Sequence, residues 1–260
     1  MTTVDITAAI LIIGNEVLSG RTQDINVAYI AKTLTKLGIS LLEVRIVPDQ
    51  EERIIEAVQA LSSRYTYLFT TGGIGATHDD ITAASVAKAF QIPLVENPKA
   101  LTILQNYYGD RFNEIRRRMA RMPVGSELIS NPVSTAPAFQ IHNVFCLAGM
   151  PSVMQKMFDS LVPQLKITTP FYHNTVTCNL MEGNIGKKLE EIQRDCPDVE
   201  IGSYPFYQLD NVGVSLVIRG KDKRAIQKAT CAIIEMVKSF EGDMTLETEV
   251  PLDEAASLSS

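Results

Sequence analysis

One stretch constrains this chain more than any other: Thr70 to Thr82, reading T-T-G-G-I-G-A-T-H-D-D-I-T. Ahead of it, Tyr65-Thr66-Tyr67-Leu68-Phe69 is short, aromatic and apolar, as a buried strand is. Behind it, Ala84, Val86, Ala87 and Phe90 fall at near-helical spacing within Ile81 to Phe90. A strand therefore enters a glycine turn and leaves it as a helix. Glycines let the backbone approach a ligand and aim its N–H groups at it, and the helix start adds partial positive charge. Asp79 and Asp80 stand at the mouth of the turn. The combination suits a phosphate with a metal or a proton-transfer step beside it. The plain alternative is a tight turn with Asp79 or Asp80 as helix N-cap. The turn is not a Walker A loop, since no Lys follows its last glycine, and it lacks the third glycine of a dinucleotide fingerprint.

The rest of the chain repeats the pattern. Ala8 to Ile13 is a continuous apolar run ended by Gly14, the mark of a central parallel strand. The loop Gly14 to Gly20 carries Glu16. Asp24 caps a helix with Val27, Ile30, Ala31, Leu34 and Leu37 on one face, and Gly38 ends it. Leu41 to Val47 is a second strand, and Pro48-Asp49 opens another helix with Asp49 as its cap. This order predicts an α/β fold with a doubly wound, mostly parallel sheet. Further on, Pro93 to Pro98 reads as a connection, Leu101 to Tyr108 as a helix and Glu114 to Arg121 as a strongly basic helix. Short strands at Glu127–Ile129 and Ala138–Ile141 flank N-P-V-S-T-A-P. Val144 to Leu147 runs into A-G-M-P-S (Ala148 to Ser152) and a helix, a second strand–glycine turn–helix unit. In open α/β sheets such turns meet at the carboxyl ends of the strands, where ligands bind.

Pro163 to Pro170 marks a boundary. We therefore divide the chain into a domain at 1–168, a small β-α-β-β-α module of α+β type at 169–240, and an acidic tail at 241–260 expected to be disordered. From Glu241 onward there are six acids and no Lys or Arg, which leaves 24 acids against 24 Lys and Arg before it. A neutral body argues against a broad nucleic-acid surface. Cys146, Cys178, Cys196 and Cys231 are far apart, with no C-x-x-C pair, so zinc and redox motifs fail. The early apolar run is too short for a signal peptide or a membrane span. A cytoplasmic protein without membrane contact is expected.

Other candidates have ordinary readings. Arg116, Arg117, Arg118 and Arg121 read as a solvated face or subunit contact, with a phosphate clamp as the alternative. Gly183 to Gly186 matches the G-x-x-G of nucleic-acid-binding KH modules, but lies between strand and helix without basic company.

The ordered motifs point to one family. T-G-G-I-G-A-T-H-D-D-I-T, G-N-E-V-L-S-G-R-T-Q-D-I-N, V-P-D at Val47 to Asp49, N-P-V-S-T-A-P and A-G-M-P-S closely resemble the MoaB/Mog molybdopterin-binding domain. The likeness covers residues 8–165. It is nearest to the N-terminal type of the competence/damage-inducible proteins A (CinA), and similar to the first domain of eukaryotic FAD synthases. The module after residue 169 is similar to the KH-type module of CinA proteins. The chain leaves no room for the CinA deamidase domain, so that activity is not expected.

The resemblance implies a pterin- or nucleotide-binding domain that forms homo-oligomers, dimer or trimer. It implies one of two chemistries: adenylyl transfer to molybdopterin, or metal-dependent cleavage of a dinucleotide pyrophosphate such as ADP-ribose or FAD. Carried onto this sequence, Asp49 and Asp80 match catalytic acids. Thr71, Gly72, Gly73, Gly75 and Thr77 match the ligand-cradling turn, and Ser134, Gly149, Pro151 and Ser152 the facing loops. Glu16, Asp79 and Asp80 are the expected ligands of a divalent cation, Mg²⁺ or Co²⁺. Four positions depart from the family pattern: Asn15 for Asp, Ala76 for Pro, Ser134 for Gly and Ala148 for Pro. The readings to separate are a pyrophosphatase, a non-catalytic pterin- or nucleotide-binding module, and a structural oligomer.

Overall fold

The computed structural model describes residues 6–208 and 211–252, which form two units, Met1–Thr168 and Thr169–Ser260. The first strand, β1 (Thr7–Ile13), shows why the first unit is layered. Ala9, Leu11 and Ile13 enter one core, while Ala8, Ile10 and Ile12 enter another on the opposite face. A strand apolar on both faces needs a helical layer on each.

The chain supplies them in order. After β1 come α1 (Asn15–Leu18), α2 (Asn26–Lys36), β2 (Ser40–Val47), α3 (Glu51–Arg64), β3 (Tyr67–Thr71) and α4 (Thr82–Ala89). Next are β4 (Leu94–Glu96), α5 (Pro98–Tyr108), α6 (Glu114–Arg117), β5 (Arg121–Pro123), β6 (Glu127–Ile129), β7 (Ala138–Ile141), β8 (Val144–Leu147) and α7 (Pro151–Leu161). The main sheet has the order β2-β1-β3-β8-β7-β6. Its first four strands are mutually parallel; at one side β7 runs antiparallel to β8, and β6 antiparallel to β7. This is the mostly parallel, doubly wound sheet expected. Ile54, Val58 and Leu61 of α3, Val86 of α4 and Leu104 of α5 cover one face. Ile30 and Leu34 of α2 with Met154, Phe158 and Leu161 of α7 cover the other, where Phe69 meets Phe145 and Phe158 at ring centroid distances of 5.2 Å.

Three local readings change. The loop Gly14 to Gly20 contains the single turn α1. The Pro93–Pro98 connection contains β4, which pairs with β5. The basic helix over 114–121 breaks after Arg117 into one 3-10 turn, Arg118–Ala120. The cause is packing. Ala120 and Met122 are buried, and the Asn97 N–H bonds the Ala120 carbonyl at 2.8 Å, which draws the backbone out of the helix.

The second unit contains β9 (Tyr172–Cys178), α8 (Glu182–Asp195), β10 (Val199–Gln208), β11 (Asn211–Gly220), α9 (Lys223–Ser239) and β12 (Met244–Thr248). Its antiparallel sheet has the order β10-β11-β9-β12, and Gly183 and Gly186 lie inside α8 rather than in a loop. The expected disordered tail is corrected here: residues 244–248 pair with β9, and Val250 is buried. Asn174, wholly buried, closes this edge. Its Oδ1 accepts from the Glu249 and Val250 N–H groups at 3.1 and 3.0 Å, and its Nδ2 donates to the Val250 carbonyl at 3.0 Å. Glu247, the one acid of β12, is exposed, so its charge does not oppose pairing. The remainder of the tail, residues 253–260, lies outside the described residues.

Asn174→Ala would leave the N–H and carbonyl of buried Val250 without this partner and weaken the closure by about 2 kcal/mol. Hydrogen exchange checks it: the Val250 amide should lose protection, while the Glu249 amide, which also bonds the His173 carbonyl, and those of β1 keep theirs. Among the described residues, no helix is long and apolar enough to cross a membrane.

Candidate functional site

β1, β3 and β8 lie side by side with Ile12, Thr71 and Leu147 in register, so the loops that follow them meet at one edge of the sheet. The turn after β3 is built first. The Gly72 N–H bonds the Leu147 carbonyl at 3.1 Å. Gly72 and Gly73 take φ of 104° and 67°, where a side chain is strained. A Cβ on Gly72 would also collide with the Ile13 carbonyl oxygen, and one on Gly73 with the Thr82 hydroxyl. Thr82, fully buried, latches the turn to α4: its hydroxyl donates to the Gly72 carbonyl at 2.9 Å and its N–H to that of Gly73 at 3.0 Å.

Asp80 closes the turn. Its Oδ1 accepts from the Gly75 N–H and its Oδ2 from the Thr77 N–H, both at 2.7 Å. Gly75 has no Cβ to obstruct this; one would sit 2.6 Å from Asp80 Oδ2. The alternative of Asp79 or Asp80 as helix cap is thereby corrected, since the residue before α4 is Ile81 and no side chain caps it. The Thr77 hydroxyl lies 2.5 Å from Asp79 Oδ1 and 2.6 Å from Asp80 Oδ2. It has one proton for two carboxylates. Its hydroxyl bond, ahead of the backbone N–H, holds the Asp79 carboxyl below the usual range.

The other walls come from three loops. Asp49, expected to cap α3, instead turns to the first loop: its Oδ2 accepts from the Asn15 N–H at 2.9 Å, and Gln50 takes the cap position. The Glu16 carboxylate folds over Gly14, within 2.5 Å of where a Cβ would stand. Gly149 packs against the first turn, its would-be Cβ 3.3 Å from Gly72 Cα, and its carbonyl accepts from Asn26 Nδ2 at 2.8 Å. Asn131, almost fully buried, organises the N-P-V-S-T-A-P loop. Its Oδ1 accepts from the Val133 and Ser134 N–H groups, and its Nδ2 donates to Ser134 Oγ at 2.7 Å.

These loops enclose a cleft of about 420 Å³. Of the residues singled out from sequence, Glu16, Asp49, Gly72, Gly73, Gly75, Asp79, Asp80, Ser134 and Gly149 line it. Thr71 and Pro151 instead line a neighbouring cavity of about 40 Å³. Thr77 and Ser152 line neither; Thr77 acts through Asp79 and Asp80. The sequence reading did not single out Thr82, Asn26 and Asn131 as organisers, although each lies inside a quoted motif. Ile74, Tyr108, Met119, Val153 and Met157 supply apolar lining. Among the described residues, four carboxylates line the cleft and no Lys, Arg or His does.

The donor set bears on a cation. Among the described residues no three His, Cys, Asp or Glu side chains converge as a metal cage. The oxygens of Asp79, Thr77 and Asp80 do converge, with one proton among them. That set suits a hard cation held by one or two carboxylates and completed by ligand phosphate and water, as Mg²⁺ usually is.

Fold and cleft together define a class: doubly wound domains whose ligand site is built from glycine turns at the carboxyl edge of the sheet. Within it the chain belongs to the MoaB/Mog family, since the profile "Probable molybdopterin binding domain" matches residues 9–167. The profile "FAD synthase, middle domain" matches residues 170–241, where we expected a KH-type module. A protein of Archaeoglobus fulgidus is 36% identical over 233 residues, covering 89% of this chain and 95% of that one. "Probable FAD synthase" of Caenorhabditis briggsae is 28% identical over 258 residues, covering 89% of this chain and 49% of that one, so this chain spans about half of that relative. The crystal structure of the Thermoplasma acidophilum protein CinA, described as of unknown function, matches with a TM-score of 0.59 and 29% identity, covering 62% of this chain and 98% of that one.

Proposed function

We propose that the chain binds a phosphate-bearing pterin or nucleotide in this cleft and hydrolyses a dinucleotide pyrophosphate of the FAD or ADP-ribose type with a divalent cation. The observation that carries the reading is the Asp79–Thr77–Asp80 cluster beside a glycine turn whose Gly73 and Gly75 line the cleft. A diphosphate brings negative charge to a cleft that is already acidic. A cation between the two is what makes the pairing favourable. Asp79 and Asp80 would hold Mg²⁺ or Co²⁺, completed by ligand phosphate and water, which would supply polarisation of a phosphoryl oxygen; Glu16, expected from the sequence as a third ligand, does not converge with them.

The chain's own groups do the rest. Gly73 and Gly75 bring backbone close to the diphosphate. The apolar lining receives a planar ring. Asp49, fixed by the Asn15 N–H, accepts a proton from the attacking water. Water's oxygen bonds to one phosphorus and the bridging P–O bond breaks. AMP and a second phosphate monoester leave.

The test is AMP release from FAD or ADP-ribose, with and without Mg²⁺ or Co²⁺. Cation-dependent release is expected. No release with any cation overturns hydrolysis. The second reading is a non-catalytic pterin- or nucleotide-binding module, or an adenylyltransferase-like one. The absence of a three-ligand cage among the described residues favours it, and ligand binding without AMP release identifies it. A homo-oligomer is part of the proposal, tested by light scattering.

A further inference from the structure

An acidic cleft that takes a diphosphate leaves one question of charge. A cation shared by Asp79 and Asp80 neutralises part of the ligand at one end. The rest of the ligand's charge needs a partner at the other end, and no basic side chain lines the cleft itself.

Basic groups do line the adjoining space. A small cavity of about 40 Å³ shares Gly73, Ile74, Gly75 and Asp80 with the cleft, and Arg118 and Arg121 are among its other lining residues. The same two arginines continue into a groove of about 200 Å³ with Glu96, Glu114 and Arg117. Chain geometry brings them there. The helix breaks after Arg117, so Arg118 leaves on the 3-10 turn and Arg121 on β5.

The four arginines thus divide into two pairs. Arg117 grips both oxygens of Glu96 at 2.8 and 3.0 Å and reaches Glu114 at 3.3 Å. Arg116 lies over the Tyr108 ring at 4.6 Å and donates to the Arg111 carbonyl. Both hold the fold. Arg118 and Arg121 are exposed, and among the described residues neither makes a hydrogen bond or ion pair. Arg121 stands opposite Glu96 in the β4–β5 ribbon, but Arg117 already occupies that carboxylate on both oxygens. Two exposed guanidinium groups lining the same cavity as a glycine turn, Arg121 acting on Glu96 through charge alone, match the planar oxygens of a phosphate, which arginine binds in pairs.

We infer that Arg118 and Arg121 form the anion-binding end of the site and take the second phosphate of a diphosphate ligand. The inference rests on the phosphate-ligand reading above. It makes the site two-ended: Asp79 and the cation at one end, guanidinium groups at the other, with Asp80 lining both spaces. A ligand with one phosphate satisfies one end. A ligand with two satisfies both, so these arginines select diphosphates over monophosphates.

Calorimetric titration of the full chain with ADP, AMP and inorganic pyrophosphate, each with Mg²⁺, tests it. The variants are Arg118→Ala/Arg121→Ala and, as a charge control on α3, Arg53→Ala. The wild type and the control should bind ADP at least tenfold tighter than AMP. In the double variant the two affinities should converge to within about twofold, with pyrophosphate binding lost and AMP binding kept. A double variant that keeps the ADP preference overturns the inference and leaves the glycine-turn site standing. Equal losses for ADP and AMP mean a structural role and also overturn it. A wild type that binds neither ADP nor pyrophosphate overturns both this inference and the phosphate-ligand reading.

Discussion

Replacing Gly72 by Ala is expected to cost the first unit about 2–6 kcal/mol. Two penalties coincide at this residue. Its φ of 104° is one that an alanine reaches only with strain of about 1–3 kcal/mol. The added Cβ would also fall on the Ile13 carbonyl oxygen, which is main chain of the central strand and cannot swing away. Pushing that strand aside adds about 1–3 kcal/mol. Gly20→Ala is the control. Gly20 has a φ of 72° but nothing within 4 Å of its would-be Cβ, so only the backbone term of about 1 kcal/mol remains. Urea denaturation followed by hydrogen exchange at β1 and β3 compares them. Equal losses for the two variants would show that close packing of the turn on β1 is not what demands glycine.

The second large effect falls on activity. Asp80→Ala should lower AMP release by about 100-fold or more while leaving the core intact. Asp80 does two jobs at once: it pins the Gly75 and Thr77 amides and shares the Thr77 hydroxyl with Asp79. Without it the turn loses its closing bonds and the cluster loses one of two carboxylates. Asp80→Asn should fall almost as far. An amide has one acceptor oxygen, so one of the two N–H groups would face another donor. Wild-type turnover in Asp80→Ala would remove this residue from the mechanism. Acid should act in the same direction. The Asp79 carboxyl is held low by Thr77, so its charge is present above its ordinary range and is lost only as pH falls through the lowered value. AMP release should therefore persist into mildly acidic solution.

Much of this was legible from residue order. The apolar run at Ala8 to Ile13 and the two strand–glycine–helix units predict the parallel sheet, because burial on both faces leaves no other arrangement. Which carboxylate does what was not legible. Asp49 has the spacing of a helix cap, yet its carboxylate reaches a loop 34 residues earlier. Only the pairing of β1 with β2 brings the two together. Asp80 looked like a cap for the same reason and proved to be a turn closure. Thr82 carried a signal, as the last residue of the opening motif, but a latch to Gly72 cannot be told from a helix-opening threonine by spacing. The edge strand β12 was hidden by the acids around it, since composition weighs the charge of the whole tail and β12 itself holds only Glu247.

The position of β12 has a consequence for synthesis on the ribosome. β9 sits inside its sheet, yet its neighbour on one side is translated only after α8, β10, β11 and α9 have all emerged. Until then β9 carries an open edge able to pair with the wrong chain. The first unit has its whole sheet in hand by Leu147 and can collapse on its own schedule. β3 of the first unit waits in the same way for β8, so each half holds one strand edge open until a late strand arrives; the first unit's wait ends at Leu147, the second's at Thr248. A stop codon placed near Phe240 should accordingly be felt by the second half and not by the first.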